Sequence, residues 1–327
     1  MRPICQILID GVPASGLFME RLVSCTVTDN EGISADMVEI ELDDNPPAAL
    51  PRRGAVLSIS MGYPGHIAFM GEFLAEEIEA RALPYSLRIT GKSADMGGKE
   101  KGQKERHWDD VTLGALIKEI AADHGLASSV DPALASFSYP WIGQIGESDI
   151  AFLERLADRH GAIFAIKKQT VIFAQRGAAV SPAGAALTSA VLTPSMIAPG
   201  SCSFTLSERS KYEQVIAVYM DRASGERREV TVEADPEGEG AFTIDQPYAS
   251  EVEARSAATA RARELQRRAL NFGAQIIGDP AIRGGAPVTF AGVRPGLDGT
   301  DFIVETATHA FSKAGGYTTT LTGKIKV

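Results

Sequence analysis

Two stretches near opposite ends of the chain carry the same short motifs in the same order. The matching pairs are Gly54-Ala55 with Gly285-Ala286, Pro64-Gly65 with Pro295-Gly296, and Thr90-Gly91-Lys92 with Thr322-Gly323-Lys324. The spacing within a pair is 231 residues for the first two pairs and 232 residues for the third. A nearly constant spacing indicates a duplicated module with other sequence inserted between its copies. The alternative is a chance match, because short glycine and proline motifs recur easily.

Both stretches alternate between apolar and polar residues, as strands do when one face of a sheet is buried. In the N-terminal stretch the alternating segments are residues 5–9, 22–28, 37–42, 56–60 and 85–90. In the C-terminal stretch they are residues 214–219, 228–232, 288–290, 302–306 and 317–322. Many short strands separated by turn residues favour a barrel or a sandwich. We therefore predict a mainly β fold with two duplicated β-barrel domains.

A helical pattern separates the two β-modules. Apolar residues at helical spacing begin after Thr112 and end before Gly125, and a second such run lies between Ser148 and Gly161. Threonine and serine favour the first position of a helix, and glycine favours the position just after its end. Strands are predicted at residues 162–166 and 170–174, so the inserted unit has an α+β fold.

These patterns divide the chain into four parts. We predict a first β-barrel domain at residues 1–96, an α+β insertion domain at 97–176, a linker at 177–200, and a second β-barrel domain at 201–327. The insertion begins with a charged, glycine-rich segment, residues 97–106, that is expected to be a mobile loop.

The second β-barrel domain is expected to contain one long helix, at residues 251–270. Ser250 and Glu253 have the spacing of a capping box, and arginines follow at its end, as the helix dipole favours. One face of this helix is rich in arginine, at positions 255, 261, 263, 267 and 268. Such a face either pairs with neighbouring glutamates, which is the commoner case, or binds an acidic partner.

The composition limits the classes of function. The chain has 32 basic and 42 acidic residues, a net charge of −10, which argues against a protein whose main task is gripping nucleic acid. Its three cysteines, Cys5, Cys25 and Cys202, are too few and too widely spaced for a disulfide framework or a zinc site, so free thiols are expected. No signal peptide and no membrane-spanning stretch is expected from the sequence.

The sequence offers no clear catalytic, cofactor or metal residues. Gly91-Lys92-Ser93 lacks the upstream glycine of a phosphate-binding loop. His124 and His160 each lie at the end of a predicted helix, where a capping or interface role is favoured over metal binding. Glu147 and Asp149 could form the acid and base of a glycosidase, but stabilisation of a helix N-terminus explains them more simply. We therefore predict a protein that is not an enzyme and that needs no cofactor.

Several segments resemble a known family. GESDIAFLERLA at residues 146–157, followed by Gly161, resembles the E-S-D-x-x-F-L-x-R-L…G signature of phage tail hub proteins. That family comprises the late control D proteins of contractile-tailed phages and the hub portion of the VgrG spikes of type VI secretion. Residues 108–113, 120–126 and 309–319 are also similar to it, so the resemblance covers essentially the whole chain.

The resemblance implies a structural protein of the tail baseplate. It implies two similar β-barrels with an α/β insertion, and a homotrimer whose six barrels join a six-fold tail tube to a three-fold central spike. The expected partners are further copies of the chain, a trimeric spike protein, tail tube or distal tail proteins, and baseplate proteins. DNA is expected to pass through the channel without specific binding, and no membrane is involved. The expected location is the tail of a virion or a tail-like particle, assembled in the cytoplasm of the bacterial host.

The family also suggests where the spike attaches. Fused members continue from the last hub strand into the spike, whereas this chain stops at Val327. We therefore expect a separate spike protein, with Lys324, Ile325, Lys326 and Val327 facing it. Two alternatives remain, a tail-associated cell-wall (peptidoglycan) hydrolase and a carbohydrate-binding β-module.

Overall fold

Strands make up most of the regular structure. A computed structural model describes residues 2–32, 36–93, 102–167, 169–177, 187–208, 211–221 and 224–327. The strands of the first half are β1 (Ile4–Ile9), β2 (Val12–Pro13), β3 (Leu22–Asn30), β4 (Met37–Asp43), β5 (Val56–Tyr63), β6 (His66–Arg81), β7 (Ser86–Ser93), β8 (Lys104–Thr112), β9 (Ala127–Val130), β10 (Ser138–Glu147), β11 (Ala162–Lys167) and β12 (Thr170–Gln175).

Among the described residues, the second half contains nine more strands, and five helices are spread along the chain. The strands are β13 (Ala190–Leu192), β14 (Ser203–Leu206), β15 (Gln214–Met220), β16 (Arg227–Glu233), β17 (Ala241–Tyr248), β18 (Leu270–Ile277), β19 (Pro287–Phe290), β20 (Asp301–Ser312) and β21 (Gly316–Ile325). The helices within the described residues are α1 (Gly16–Arg21), α2 (Leu113–Asp123), α3 (Pro132–Ala135), α4 (Asp149–His160) and α5 (Glu251–Arg268).

One large sheet unites the two β-modules. Its strand order is β14-β18-β21-β20-β3-β4-β7-β6-β5-β1-β2, with β19 and β13 branching from β20. The mainly β class is confirmed, but the described strands do not close into the two separate barrels that the sequence predicts. The reason lies in β20, which is 12 residues long and extends past β19. Its second half therefore pairs with β3 of the first module, from Thr306–Asn30 to Ser312–Ser24.

The two β-modules make the same backbone hydrogen bonds. In the first module the Gly54 N–H donates to Ala75 O at 2.8 Å, and the Ala75 N–H donates to Ala55 O at 3.0 Å. In the second module the Gly285 N–H donates to Val304 O at 2.7 Å, and the Val304 N–H donates to Ala286 O at 2.9 Å. The motif pairs of the sequence thus occupy equivalent places, which confirms the duplication.

A β-bulge also recurs in both modules. The bulge lies between Ala75 and Glu77 in β6 and between Val304 and Thr306 in β20, and each is opposite a Thr-Gly pair of the neighbouring strand. The turn glycines Gly65 and Gly296 have φ values of +84° and +85°. The modules differ at one end, because β1 is antiparallel to β5 whereas β13 is parallel to β19.

The longest strand, β6, was not expected. It has 16 residues, and two bulges interrupt its pairing. A bulge inserts one extra residue and so moves the following side chains to the other face. The buried residues Met70, Phe73 and Ala75 consequently fall out of phase, and the alternation that identifies a strand is lost. Strands β10, β17 and β18 were also missed.

Two predicted loops contain strands. Of the expected mobile loop at 97–106, residues 97–101 lie outside the described part, but Lys104–Arg106 belong to β8, which pairs with β10. Of the expected linker at 177–200, residues 178–186 lie outside the described part, but Ala190–Leu192 form β13 and pair with β19, and Leu192 is buried. The composition of both segments suggested loops, but backbone pairing with a neighbouring strand decided their structure.

The three longer helices begin where the sequence indicated, and α5 ends at Arg268, short of the predicted residue 270, because Leu270 begins β18. Thr112, Ser148 and Ser250 each accept a hydrogen bond from the backbone N–H three residues later, at the starts of α2, α4 and α5. Gly161 follows α4 in the left-handed conformation, with φ of 60°. Apolar burial holds α2 and α4 against β8–β12, and the core there includes Leu116, Phe152 and Phe173.

Helix α5 packs on a small separate sheet of strand order β16-β15-β17. Three alanines of α5, Ala254, Ala258 and Ala262, are buried against this sheet, together with Val215 and Val230. This layer has no counterpart in the first β-module among the described residues. None of the described helices is long and apolar enough to cross a membrane.

Candidate functional site

The segment that resembles the hub signature holds the insertion unit together. Asp149, the first residue of α4, is completely buried. Its carboxylate accepts hydrogen bonds from Lys104 at 2.5 Å, Arg106 at 2.7 Å and Gln144 at 2.9 Å, and it lies 2.7 Å from Nε2 of His124. These partners come from β8, β10 and the end of α2, so one carboxylate connects four elements.

The electrostatics of this cluster keep Asp149 charged. Burial by itself raises the pKa of Asp149, but the bonds from Lys104, Gln144 and His124 and the charge of Arg106 outweigh it and bring the pKa to about 2. A glycosidase acid needs the opposite, a pKa raised towards neutrality. The cluster therefore stabilises the fold in this arrangement, and the helix dipole supports it.

The second carboxylate of the signature is also held in an ion pair. Glu147 accepts hydrogen bonds from Arg155 at 3.1 Å and 2.5 Å, and Arg155 also donates to Gly143 O at 2.9 Å. Glu147 thus ties the end of β10 to the middle of α4. The glutamate, aspartate and arginine of the signature all act in packing this unit.

The buried histidines form hydrogen bonds with neighbouring polar groups. His160 lies 2.5 Å from the Tyr139 hydroxyl and 3.2 Å from Ser256 Oγ, and burial lowers its pKa to about 4. His309 lies 2.9 Å from the Tyr317 hydroxyl, and burial lowers its pKa to about 4 as well. Among the described residues no group of three or more His, Cys, Asp and Glu side chains could hold a metal ion.

The insertion unit is docked on the long helix of the second β-module. Arg159 of α4 donates to Glu253 of α5 at 3.2 Å, and His160 contacts Ser256. A Cβ at Gly161 would lie 2.9 Å from Cβ of Ala260, so glycine permits this close approach. No sequence pattern indicates this docking, because it depends on contacts between residues about 95 positions apart.

The four expected spike-facing residues have different environments. Lys324 lies in β21 and pairs with Glu305 at 2.5 Å, and Ile325 is partly buried in the core of the second module. The Lys326 N–H donates to Asp301 O at 2.8 Å, whereas the side chains of Lys326 and Val327 are exposed. Only the last two side chains are therefore free to meet a partner from the end of this strand.

A wide cleft of about 1630 Å³ lies where the insertion unit meets the second module. Its walls are α4, α5 and strand β17, and Val327 lies at its border. The arginine-rich face of α5 forms one wall. Three of its arginines pair with glutamates of the same helix: Arg255 with Glu251, and both Arg261 and Arg268 with Glu264.

Comparison with known proteins identifies the family. The family model described as phage tail baseplate hub (GPD) matches residues 30–315. The chain belongs to the phage tail baseplate hub family. It is 30% identical, over its whole length and 94% of the relative, to the probable baseplate hub protein of Escherichia phage P2. The resemblance seen in the signature segment is thus confirmed.

Solved structures share this fold at low sequence identity. The tail protein of Neisseria meningitidis MC58 has a TM-score of 0.71 at 11% identity, covering 99% of this chain and 97% of that one. The Escherichia coli c3393 protein, a component of the type VI secretion system, has a TM-score of 0.58 at 10% identity, covering 97% of this chain and 76% of that one. These likenesses show the shared fold, and membership of the baseplate hub family makes the chain a structural protein of a phage tail.

Proposed function

We propose that this hub protein forms a homotrimer and connects a six-fold tail tube to a three-fold central spike. The observation that carries the proposal is the duplicated β-module, with the same bonds at Gly54 and Gly285. Three chains with two equivalent modules each supply six similar surfaces for the tube. Closed rings of this kind are ordinary in homo-oligomers.

The remaining partners follow from this position in the tail. The proposed neighbours are a separate trimeric spike protein on one side, and tail tube or distal tail proteins and baseplate proteins on the other. DNA passes through the channel of the ring without specific binding, which agrees with the net charge of −10. Assembly takes place in the cytoplasm of the bacterial host, no membrane is involved, and the chain has no catalytic role.

The spike-facing surface is proposed to lie at the C-terminal end of β21. Residues Lys324 to Val327 mark this end, and in fused relatives the chain continues here into the spike. The exposed side chains of Lys326 and Val327 support this position. Neither the hydrolase nor the carbohydrate-binding alternative is favoured by any feature of the described residues.

Light scattering of the purified chain mixed with its spike protein tests the proposal. We expect a complex with three copies of each protein. A stable complex with two or four copies of the hub chain would rule out the proposed ring. The same measurement without the spike shows whether the chain forms the trimer alone or only on the spike.

A further inference from the structure

The cleft between the insertion unit and the second module has the size of a peptide site. Its volume of about 1630 Å³ exceeds the roughly 300–1,000 Å³ typical of small-molecule pockets. It is long rather than compact, since it follows α5 from Glu251 to Arg268 and reaches Val327. No part of the proposed hub function uses it.

Arginine side chains dominate the charged lining of the cleft. Eight arginines and five carboxylate side chains line it, and no lysine does. The whole chain, in contrast, has an excess of ten acidic residues. Three of the arginines also pair with carboxylates that lie outside the lining: Arg155 with Glu147, Arg159 with Glu253, and Arg267 with Glu31. Guanidinium groups still outnumber the carboxylates in the lining, and such a surface attracts an acidic ligand.

One of these arginines lacks an ion-pair partner among the described residues, and another uses only part of its donor set. Arg267 is 5% exposed and pairs with Glu31 at 3.3 Å, yet its Nε and Nη1 atoms are buried without a hydrogen-bond partner. Arg263 is exposed and makes no ion pair with any described residue. Buried donors are nearly always satisfied in native proteins, so Arg267 has donor capacity that the described residues do not use.

The remaining wall suits an extended chain. Strand β17 pairs with β15 on one side, and no described strand pairs with its other edge. Five consecutive residues of this strand, 242–246, line the cleft, including the apolar Phe242 and Ile244. An open strand edge beside apolar and cationic side chains is the setting in which a peptide adds as a further strand.

We propose that this cleft binds an acidic, extended peptide segment of a partner polypeptide, with the acidic side chains of the segment directed at the arginines of α5. A nucleic acid fits the cleft less well, because five carboxylates line it and the phosphate backbone carries about one charge per 1.7 Å of duplex. A peptide can place its charges between those carboxylates and its apolar residues on β17.

The position of the cleft suggests which partner supplies the segment. Val327 belongs both to the proposed spike-facing end and to the border of the cleft. Assigning the segment to the spike rests on the proposed function, whereas the preference of the cleft for an acidic peptide does not. Peptide binding and the copy number of the spike complex therefore succeed or fail separately.

Fluorescence anisotropy with the full chain tests the inference. The probe is a labelled peptide of about ten alternating glutamates and valines, which is long enough to follow the eight residues of β17. We expect this peptide to bind, a peptide with glutamine in place of glutamate to bind about tenfold more weakly, and Arg263→Glu to weaken the glutamate peptide about tenfold. Arg267→Lys should also weaken binding, because lysine keeps the charge but loses the planar set of donors.

A matched control is available on the same small sheet. Arg227 is exposed on β16, on the far side of β15 from β17, and it does not line the cleft. Arg227→Glu changes the net charge as Arg263→Glu does, and it should leave binding unchanged. Thermal unfolding of each variant shows that it is folded, and Arg263 is exposed, so its substitution should not affect the fold.

Three outcomes would overturn the proposal. Equal binding of the glutamate and glutamine peptides would remove the role of charge. Tighter binding of a single-stranded oligonucleotide of the same charge would assign the cleft to nucleic acid. Loss of self-association in Arg263→Glu, without any peptide binding by the unmodified chain, would assign the cleft to a second copy of the chain.

Discussion

The two β-modules differ little in their hydrogen bonds and much in what is attached to them. Each sets a Gly-Ala pair and a Thr-Gly pair against a bulged strand. At the edge of the large sheet, the first module finishes with the short strands β1 and β2. The second carries α5, on which the insertion unit docks, together with the small sheet of α5 and the proposed spike-facing end. The duplicated strands thus form a common scaffold, and the unduplicated elements distinguish one module from the other.

This comparison separates two kinds of ion pair. In the insertion unit Asp149 is buried with several partners, whereas in the first module Glu41 and Arg88 form a pair at 2.8 Å whose side chains are more than one third exposed. Removing one partner of a buried pair is costly because the other charge stays buried, whereas exposed pairs contribute little.

The largest effect is therefore expected for Asp149→Asn. We expect this substitution to lower the free energy of unfolding by about 3 kcal/mol, and Glu41→Gln to lower it by less than about 1 kcal/mol. Urea denaturation measures both values. Hydrogen exchange should show the loss of protection for Asp149→Asn in β8, β10, α2 and α4. Similar losses for the two variants would show that the cluster is not a structural anchor.

Because the two modules are equivalent, substitutions at their matching glycines, Gly91 and Gly323, should destabilise the protein in the same way. A Cβ at Gly91 would lie 2.9 Å from Leu74 O, and one at Gly323 would collide with Ile303 O. Leu74 and Ile303 directly precede the two bulges. Gly91→Ala and Gly323→Ala should each lower the free energy of unfolding by about 1–3 kcal/mol, because overpacking forces the backbone apart.

Gly16 provides the control for these substitutions. It lies in the first turn of α1 with no atom within 4 Å of a new Cβ, so Gly16→Ala should change stability by less than about 1 kcal/mol. Thermal or urea unfolding gives the comparison. If only one of Gly91→Ala and Gly323→Ala were destabilising, the two positions would not be structurally equivalent.

Two buried histidines, one in the insertion unit and one in the second module, should make the free energy of unfolding depend on pH. His160 and His309 have pKa values of about 4 in the folded chain, below the ordinary 6.5, so the unfolded chain binds more protons between these values. Their contribution to stability is fully present above pH 6.5 and is lost as the pH falls towards 4. The free energy of unfolding should fall by up to about 1.4 kcal/mol per pH unit for each histidine.

Single substitutions identify the source of this slope. His160→Gln should reduce the dependence measured by urea denaturation between pH 6.5 and 5. The control is His107→Gln, because the side chain of His107 is 62% exposed. This substitution should leave the pH dependence of the free energy of unfolding unchanged. An unaltered slope in His160→Gln would mean that other groups cause the acid sensitivity.

The sequence predicted those features that depend on nearby residues. The starts of α2, α4 and α5 follow from Thr112, Ser148 and Ser250, because a cap and its helix lie within a few positions. The duplication was visible because each motif serves a bond within its own module. The continuous sheet was not visible, since the pairing of β20 with β3 joins residues 276 or more positions apart.

In the candidate sites too, the sequence predicted local features but not contacts between distant elements. The carboxylates Glu147 and Asp149 were recognised as a pair near a helix start, but the partners Lys104, Arg106 and His124 come from other elements. The arginine face of α5 was visible from its spacing. The cleft beside it depends on how α4 and β17 are placed, and the sequence pattern carries no information on that placement.

The smallest effect is expected at the C-terminal end, where the second module is proposed to meet the spike. Lys324 and Ile325 are engaged within the module, so deleting them would disturb β21 itself. Deleting only residues 326 and 327 removes the exposed side chains and leaves the strand complete. Each exposed lysine pair contributes about 0.2–1 kcal/mol, and the contact is repeated three times in a trimer.

We therefore expect this deletion to weaken spike capture in a pull-down while capture of the tube protein stays intact. Lys324→Gln is the matched control, because this lysine already pairs with Glu305 and its charge is not available to a partner. The control should retain the spike. Most of the affinity should come from apolar burial, so some spike binding should survive the deletion as well. If the deletion released the tube and kept the spike, the C-terminal end of β21 would face the tube, and the two sides of the proposed ring would have to be exchanged.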